Sequence, residues 1–137
     1  MKVFKFWLPV FVWMIVIFLF SNRQKIQVSS EEPVNFLFFK TLHVLEYAML
    51  YFLSFRAVRY TTGGKETFRW FVTAFLITLL YAITDEIHQT FVPTRGGRPR
   101  DVIIDSIGAS LAWISIKQLL PKTPKKLQAW VKRWQLL

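Results

Sequence analysis

Residues 85 to 89 read Asp85-Glu86-Ile87-His88-Gln89, a cluster of ionisable and amide groups set in an otherwise apolar stretch. On a helix Asp85, His88 and Gln89 fall at i, i+3 and i+4 and share a face, with Glu86 on the adjoining flank. A carboxylate one turn before an imidazole can orient a general base, so one reading has His88, held by Asp85, take a proton while His43 or Glu86 supplies one. A second stripe is formed by Lys40, His43 and Tyr47 at i, i+3 and i+7, with Glu46 beside it, and a third by Asp101, Asp105 and Gly108. Between the 85–89 cluster and the third stripe runs Arg95-Gly96-Gly97-Arg98-Pro99-Arg100. Arginines there suit phosphate or carboxylate, the paired glycines allow φ above zero and close backbone approach, and a helix beginning near Pro99 offers unpaired N–H groups.

Three functional classes use these residues. In a binding site, Arg95, Arg98, Arg100 and Lys40 hold an anion while Asp85, Glu86, Asp101 and Asp105 orient the cations. In an enzyme, the same arginines stabilise developing negative charge in phosphoryl or acyl chemistry. The chain has no Cys, so the nucleophile would be water, His or a hydroxyl such as Tyr47. In a purely structural network the residues pair with one another. The count permits it, since Lys40, Arg95, Arg98 and Arg100 face Glu46, Asp85, Glu86, Asp101 and Asp105, four positive groups against five negative. A carboxylate-rich metal site from Asp85, Glu86, His88 and Asp105 lacks a close pair of histidines and competes with the arginines, so no metal or other cofactor is expected.

The elements that carry these groups are apolar. Hydrophobic residues make up 53% of the 137 and charged ones 19%, with 14 Phe and 6 Trp. That composition fits lipid-facing helices, an all-α membrane protein, better than a small water-soluble core. The net charge of +10 lies between apolar runs and in the tail rather than on one basic face, which argues against nucleic acid. Four spans are expected: about Val3 to Phe20, Asn35 to Phe55, Trp70 into the 85–89 cluster with Pro93 closing the helix, and Asp101 to just before Pro121. The first lacks a small-residue cleavage site and is expected to stay as a membrane helix rather than act as a signal peptide. Gly108, Ala109 and Ala112 offer a small surface for close helix packing.

Orientation follows from Lys and Arg in the connections. An N-terminus inside places twelve there (Lys2, Lys5, Arg56, Arg59, Lys65, Arg69, Lys117, Lys122, Lys125, Lys126, Lys132 and Arg133) against five outside (Arg23, Lys25, Arg95, Arg98 and Arg100), so both termini are expected to be cytoplasmic. With a rise of about 1.5 Å per residue, Lys40, His43, Glu46, Asp85 and Asp105 then lie roughly 6 to 16 Å below the outer boundary of a core about 30 Å thick. Residues 1–120 read as the four-helix transmembrane domain. Residues 121–137 read as a basic amphipathic surface helix, with Leu127, Trp130, Val131 and Trp134 at helical spacing, lying on the anionic lipid of the inner leaflet.

The chain resembles the VanZ-like family of bacterial membrane proteins. The likeness is carried by Lys40-Thr-Leu-His43-Val-Leu-Glu46-Tyr47, by Asp85-Glu86-Ile-His88-Gln89-Thr-Phe-Val-Pro93-Thr-Arg95, and by Arg98-Pro-Arg100-Asp101-Val-Ile-Ile-Asp105-Ser-Ile-Gly108. The exit of the first span, Phe20-Ser21-Asn22-Arg23-Gln24, is similar too. Thr94 stands where the family often has Gly, and Asp105 where it commonly has an amide. The resemblance implies the bacterial cytoplasmic membrane and, through a founding member associated with resistance to the glycopeptide teicoplanin, a cell-envelope setting. In that setting the expected partner of an outward-facing polar pocket is a lipid-linked cell-wall precursor or a lipid phosphate.

Overall fold

The computed structural model describes residues 2–22, 30–63, 67–93 and 95–134. Arg23, Gln24, Lys25, Lys65 and Thr94, which enter the charge count or the motif, lie outside the described residues. Helix α1 spans Lys2–Ser21, α2 Glu32–Thr62, α3 Thr67–Gln89, α4 Pro99–Ile114 and α5 Lys125–Arg133, and the described residues contain no strand. Four stretches are long and apolar enough to cross a membrane: Val3–Ser21, Glu32–Thr62, Thr67–Gln89 and Pro99–Lys122. The chain runs up α1, down α2, up α3 and down α4. Ser21, Glu32, Gln89 and Pro99 therefore meet at one end, and α2 and α4 lie parallel.

Apolar side chains cover the outside of the bundle as well as its core. Each spanning helix turns a large apolar side chain outward, with Phe4 71%, Leu37 68%, Leu80 61% and Ile103 63% exposed. Beside an apolar core that includes Tyr47, Leu50 and Phe55, the interior takes Ser21, Asn35, Asp85, Glu86, Gln89, Asp101 and Asp105, all buried. Lipid is as apolar as leucine, so outward Phe and Leu carry no penalty, whereas every polar group must face protein or water.

Helix α2 is the hub and packs on α1, α3 and α4. Its closest approach is to α4. A Cβ at Gly108 would overlap the backbone carbonyl of Val44, so only glycine lets the two backbones come so near. Buried Ala109 and Ala112 continue this small surface. At the far end Trp113 of α4 stacks on Tyr51 at 6.4 Å and Phe71 at 5.6 Å.

Two boundaries differ from the sequence expectation. Helix α2 does not end near Phe55 but continues to Thr62, where Gly63 at φ 60° closes it in the left-handed conformation. Nothing breaks the helix earlier, and Arg56 and Arg59, expected in a loop, rest over aromatic rings instead. Arg56 sits 5.1 Å from the centre of Phe6, and Arg59 5.8 Å from that of Trp70. Helix α4 passes into a π-helical turn, Ser115–Leu119, and a 3-10 turn, Leu120–Lys122, around Pro121. Beyond it α5 meets the rest of the described structure through that 3-10 turn. Val131 is buried there, while Leu127, Trp130 and Trp134 remain exposed.

Candidate functional site

The polar stripes of α2 and α4 face one another in register. Lys40 Nζ lies 2.7 Å from Asp101 Oδ2, and one turn deeper His43 Nδ1 lies 3.2 Å from Asp105 Oδ1. Parallel helices make this pairing possible, because a step of three residues on α2 and of four on α4 each advance about one turn. Val44 against Gly108 sets the spacing just below.

Tyr47, another turn down, reaches to α3. Asp85 Oδ2 accepts bonds from Ser21 Oγ at 2.8 Å, Gln89 Nε2 at 2.9 Å and Tyr47 Oη at 3.3 Å. One carboxylate oxygen thus ties α1, α2 and α3 together, while its Oδ1 is buried without a hydrogen-bond partner. Arg95 extends the connection outward, donating to the Phe20 carbonyl at 3.2 Å and to Gln89 Oε1 at 3.4 Å. A guanidinium at the end of α1 also meets the negative end of that helix dipole.

The loop between α3 and α4 is held down by Glu86, whose carboxylate accepts the Arg98 backbone N–H. The N–H entering α4 is therefore taken by the protein's own carboxylate. Gly97 is needed for space rather than for left-handed backbone: a Cβ there would overlap the Glu86 carbonyl and the Thr90 methyl. Of the two possibilities the glycine pair allows, the structure uses close approach, since among the described glycines only Gly63 has positive φ. Gly96 has open space around it.

Above these contacts is a cavity of about 360 Å³. Lys40 and His43 line it from α2, Gln89 from α3, Arg95, Gly96 and Arg98 from the loop, and Arg100 and Asp101 from α4. Asn35, Phe36 and Phe39 complete the α2 side, with Glu32 at its start. The near balance counted along the chain does not hold at this wall. Asp85, Glu86, Asp105 and Glu46 do not line it, so four cations, Lys40, Arg95, Arg98 and Arg100, face two carboxylates, Glu32 and Asp101. Lys40 is paired, Arg95 is engaged with backbone and amide, and Arg100 Nε lies 3.8 Å from Asp101. The exposed Arg98 guanidinium has no partner among the described residues.

Other candidates fall elsewhere. His88 does not pair with Asp85; its ring packs 4.6 Å from Phe18 of α1 and its Nε2 is buried without a hydrogen-bond partner. Asp85 points inward with Gln89, and the residual rotation between i and i+3 carries His88 round toward α1. Of the two histidines, His43 is the one at the cavity. Glu46 is half-buried beside α1, its carbonyl accepting the Trp13 indole N–H at 2.9 Å. Among the described residues no group of three or more His, Asp or Glu side chains is arranged to hold a metal ion.

Ser21 in the polar core and Asn35, Phe36 and Phe39 in the cavity wall join the residues that the sequence motifs single out for the site. Ser21 stood in the motif at the exit of the first span, and a buried hydroxyl there is a signal that it bonds across helices. Asn35, 3% exposed in the first turn of α2, is an amide at a span entrance and carries the same signal.

Fold and site together define a multi-pass helical membrane protein with an ion-paired polar core at one end, capped by a cation-lined cavity. The chain belongs to the VanZ/LLP1 family, whose model matches residues 6–120. No curated protein and no solved structure matches it.

Proposed function

We propose that the cavity receives the anionic head of a cell-envelope ligand, a lipid-linked cell-wall precursor or a lipid phosphate, at the outer face of the bacterial cytoplasmic membrane. The observation that carries this reading is the separation of charge. Asp85, Glu86 and Asp105 bond between the helices beneath the cavity, Asp101 pairs with Lys40 in its wall, and among the described lining residues two positive groups are in surplus, with the Arg98 guanidinium having no partner there. A phosphate monoester brings a charge of about −1.5 to −2 at neutral pH and suits a guanidinium fork. The ion pairs below have a supporting role: they fix α2 against α4 so that the cavity keeps its shape without a ligand.

Both termini lie in the cytoplasm in this reading, as the Lys and Arg count favours. Helix α5 then rests on the inner leaflet, its exposed Leu127, Trp130 and Trp134 in the interface and Lys125, Lys126, Lys132 and Arg133 toward anionic headgroups. Sequestering or shielding a cell-wall intermediate would give the founding member's association with teicoplanin resistance a physical basis.

The test is retention of a radiolabelled polyprenyl phosphate by the purified protein, wild type against Arg98→Ala. Loss of at least tenfold in affinity with the fold intact supports the reading. Equal retention by both proteins refutes it, and release of free labelled phosphate by the wild type would turn it toward a hydrolase.

A further inference from the structure

The cavity wall is chemically two-sided. Phe36, Phe39, Lys40 and His43 follow one another at i, i+3, i+4 and i+7 along α2, so aromatic and ionic side chains share this face just below Glu32 and Asn35 at the start of the helix. The aromatic part belongs both to the cavity and to the outside of the bundle. Phe36 lines the cavity and is 47% exposed, and the adjoining Leu37 is also turned outward.

Phe36 also spans the end of the α2–α4 seam. Its ring lies 5.2 Å from the Arg100 guanidinium and 5.8 Å from Lys40 Nζ, so one aromatic side chain sits between the cations and the apolar exterior. A site for a water-soluble anion has use for the cations alone. A headgroup that remains attached to a membrane-embedded chain needs a continuous path on which charge gives way to hydrocarbon, and the step from Lys40 to Phe36 supplies it.

Resting on the anion-binding reading above, we propose that the cavity is entered from the bilayer past Phe36, at the end of the α2–α4 seam and above the Lys40–Asp101 pair, and that its ligand is a phosphate monoester on a long hydrocarbon chain. The phosphate lies among Arg98, Arg100 and Lys40, and the chain leaves across Phe36. Phe36 is then a specificity-determining residue: it distinguishes a lipid phosphate from free phosphate and from short-chain esters.

The experiment measures binding of three radiolabelled probes, inorganic phosphate, a short prenyl phosphate and a long polyprenyl phosphate, to the full chain in phosphatidylcholine nanodiscs. The wild type should bind the long probe at least tenfold more tightly than either of the others. Phe36→Ala should remove about tenfold for the long probe and leave the other two unchanged, and Phe36→Leu, which keeps an apolar wall, should retain most of the preference. Arg98→Ala should weaken all three. Equal binding of inorganic phosphate and the long probe, or a Phe36→Ala variant with the chain preference intact, overturns the bilayer route and leaves the anion site standing. Uniform weakening by Phe36→Ala also overturns it, because the ring would then act only by holding Arg100. Failure of the wild type to bind any probe refutes the anion-binding reading itself.

Discussion

Replacing Asp85 by alanine removes the acceptor on which three helices converge. Ser21, Gln89 and Tyr47 donate to one oxygen at 2.8, 2.9 and 3.3 Å, and Asp85 is 3% exposed, so water does not replace the lost partner easily. Interhelical side-chain bonds in membrane proteins are worth about 0.6 kcal/mol each on average, which sets a floor of about 1 kcal/mol for the two from Ser21 and Tyr47, the Gln89 bond lying within α3. Stranding buried donors raises the cost, and a loss of about 2 to 4 kcal/mol is expected. Reversible unfolding in mixed detergent micelles, followed by far-UV circular dichroism, measures it. Asp85→Asn keeps an acceptor oxygen at the same place and should lose about 1 kcal/mol. A double-mutant cycle with Ser21→Ala should show coupling of at least about 0.5 kcal/mol, because the two side chains share a bond. An Asp85→Ala protein within about 0.5 kcal/mol of wild type, with no coupling to Ser21, would refute the view that this carboxylate joins α1 to the bundle.

Gly108→Leu should force α2 from α4 at Val44, breaking the Lys40–Asp101 and His43–Asp105 pairs, and should lower the unfolding temperature by several degrees or abolish accumulation. The neighbouring glycines of the loop separate two roles: Gly97→Ala meets the Glu86 carbonyl and should destabilise the protein by about 1 kcal/mol or more, whereas Gly96→Ala, with nothing within 4 Å, should be neutral. Both are read by the same unfolding assay. Lys40→Ala should cost more than Lys40→Ala with Asp101→Ala, because the single change leaves a carboxylate at 12% exposure without its ammonium partner; equal losses would show that the pair is not coupled. For topology, Gly96→Cys should react with a membrane-impermeant thiol reagent in intact cells and Lys122→Cys only after lysis, and the reverse pattern would invert the orientation.

Much of this arrangement is legible in the chain because membrane helices follow hydropathy and period. Apolar runs of spanning length mark the four helices, and Gly108 with Ala109 and Ala112 marks the face where two of them meet. The spacing of Lys40, His43 and Tyr47 places three groups on one side of α2, and each does reach a carboxylate. What that spacing leaves open is the partner. Asp85, Asp101 and Asp105 are equivalent acids on paper, and parallel packing at the Val44–Gly108 contact assigns Asp101 to Lys40 and Asp105 to His43. His88 illustrates the same limit, since i to i+3 proximity allows a pair with Asp85 but the groove beside Phe18 claims the ring.

The sequence by itself determined a helical, four-span membrane protein with its ionisable residues toward one end, because hydrophobic length, helical period and charge count are properties of composition along a line. Only the tertiary structure decided where the charges face. Of the charges that balance along the chain, Lys40 and Asp101 pair in the cavity wall and the loop arginines line it, while Asp85, Glu86 and Asp105 bond between the helices, because a carboxylate in an apolar interior must find donors there.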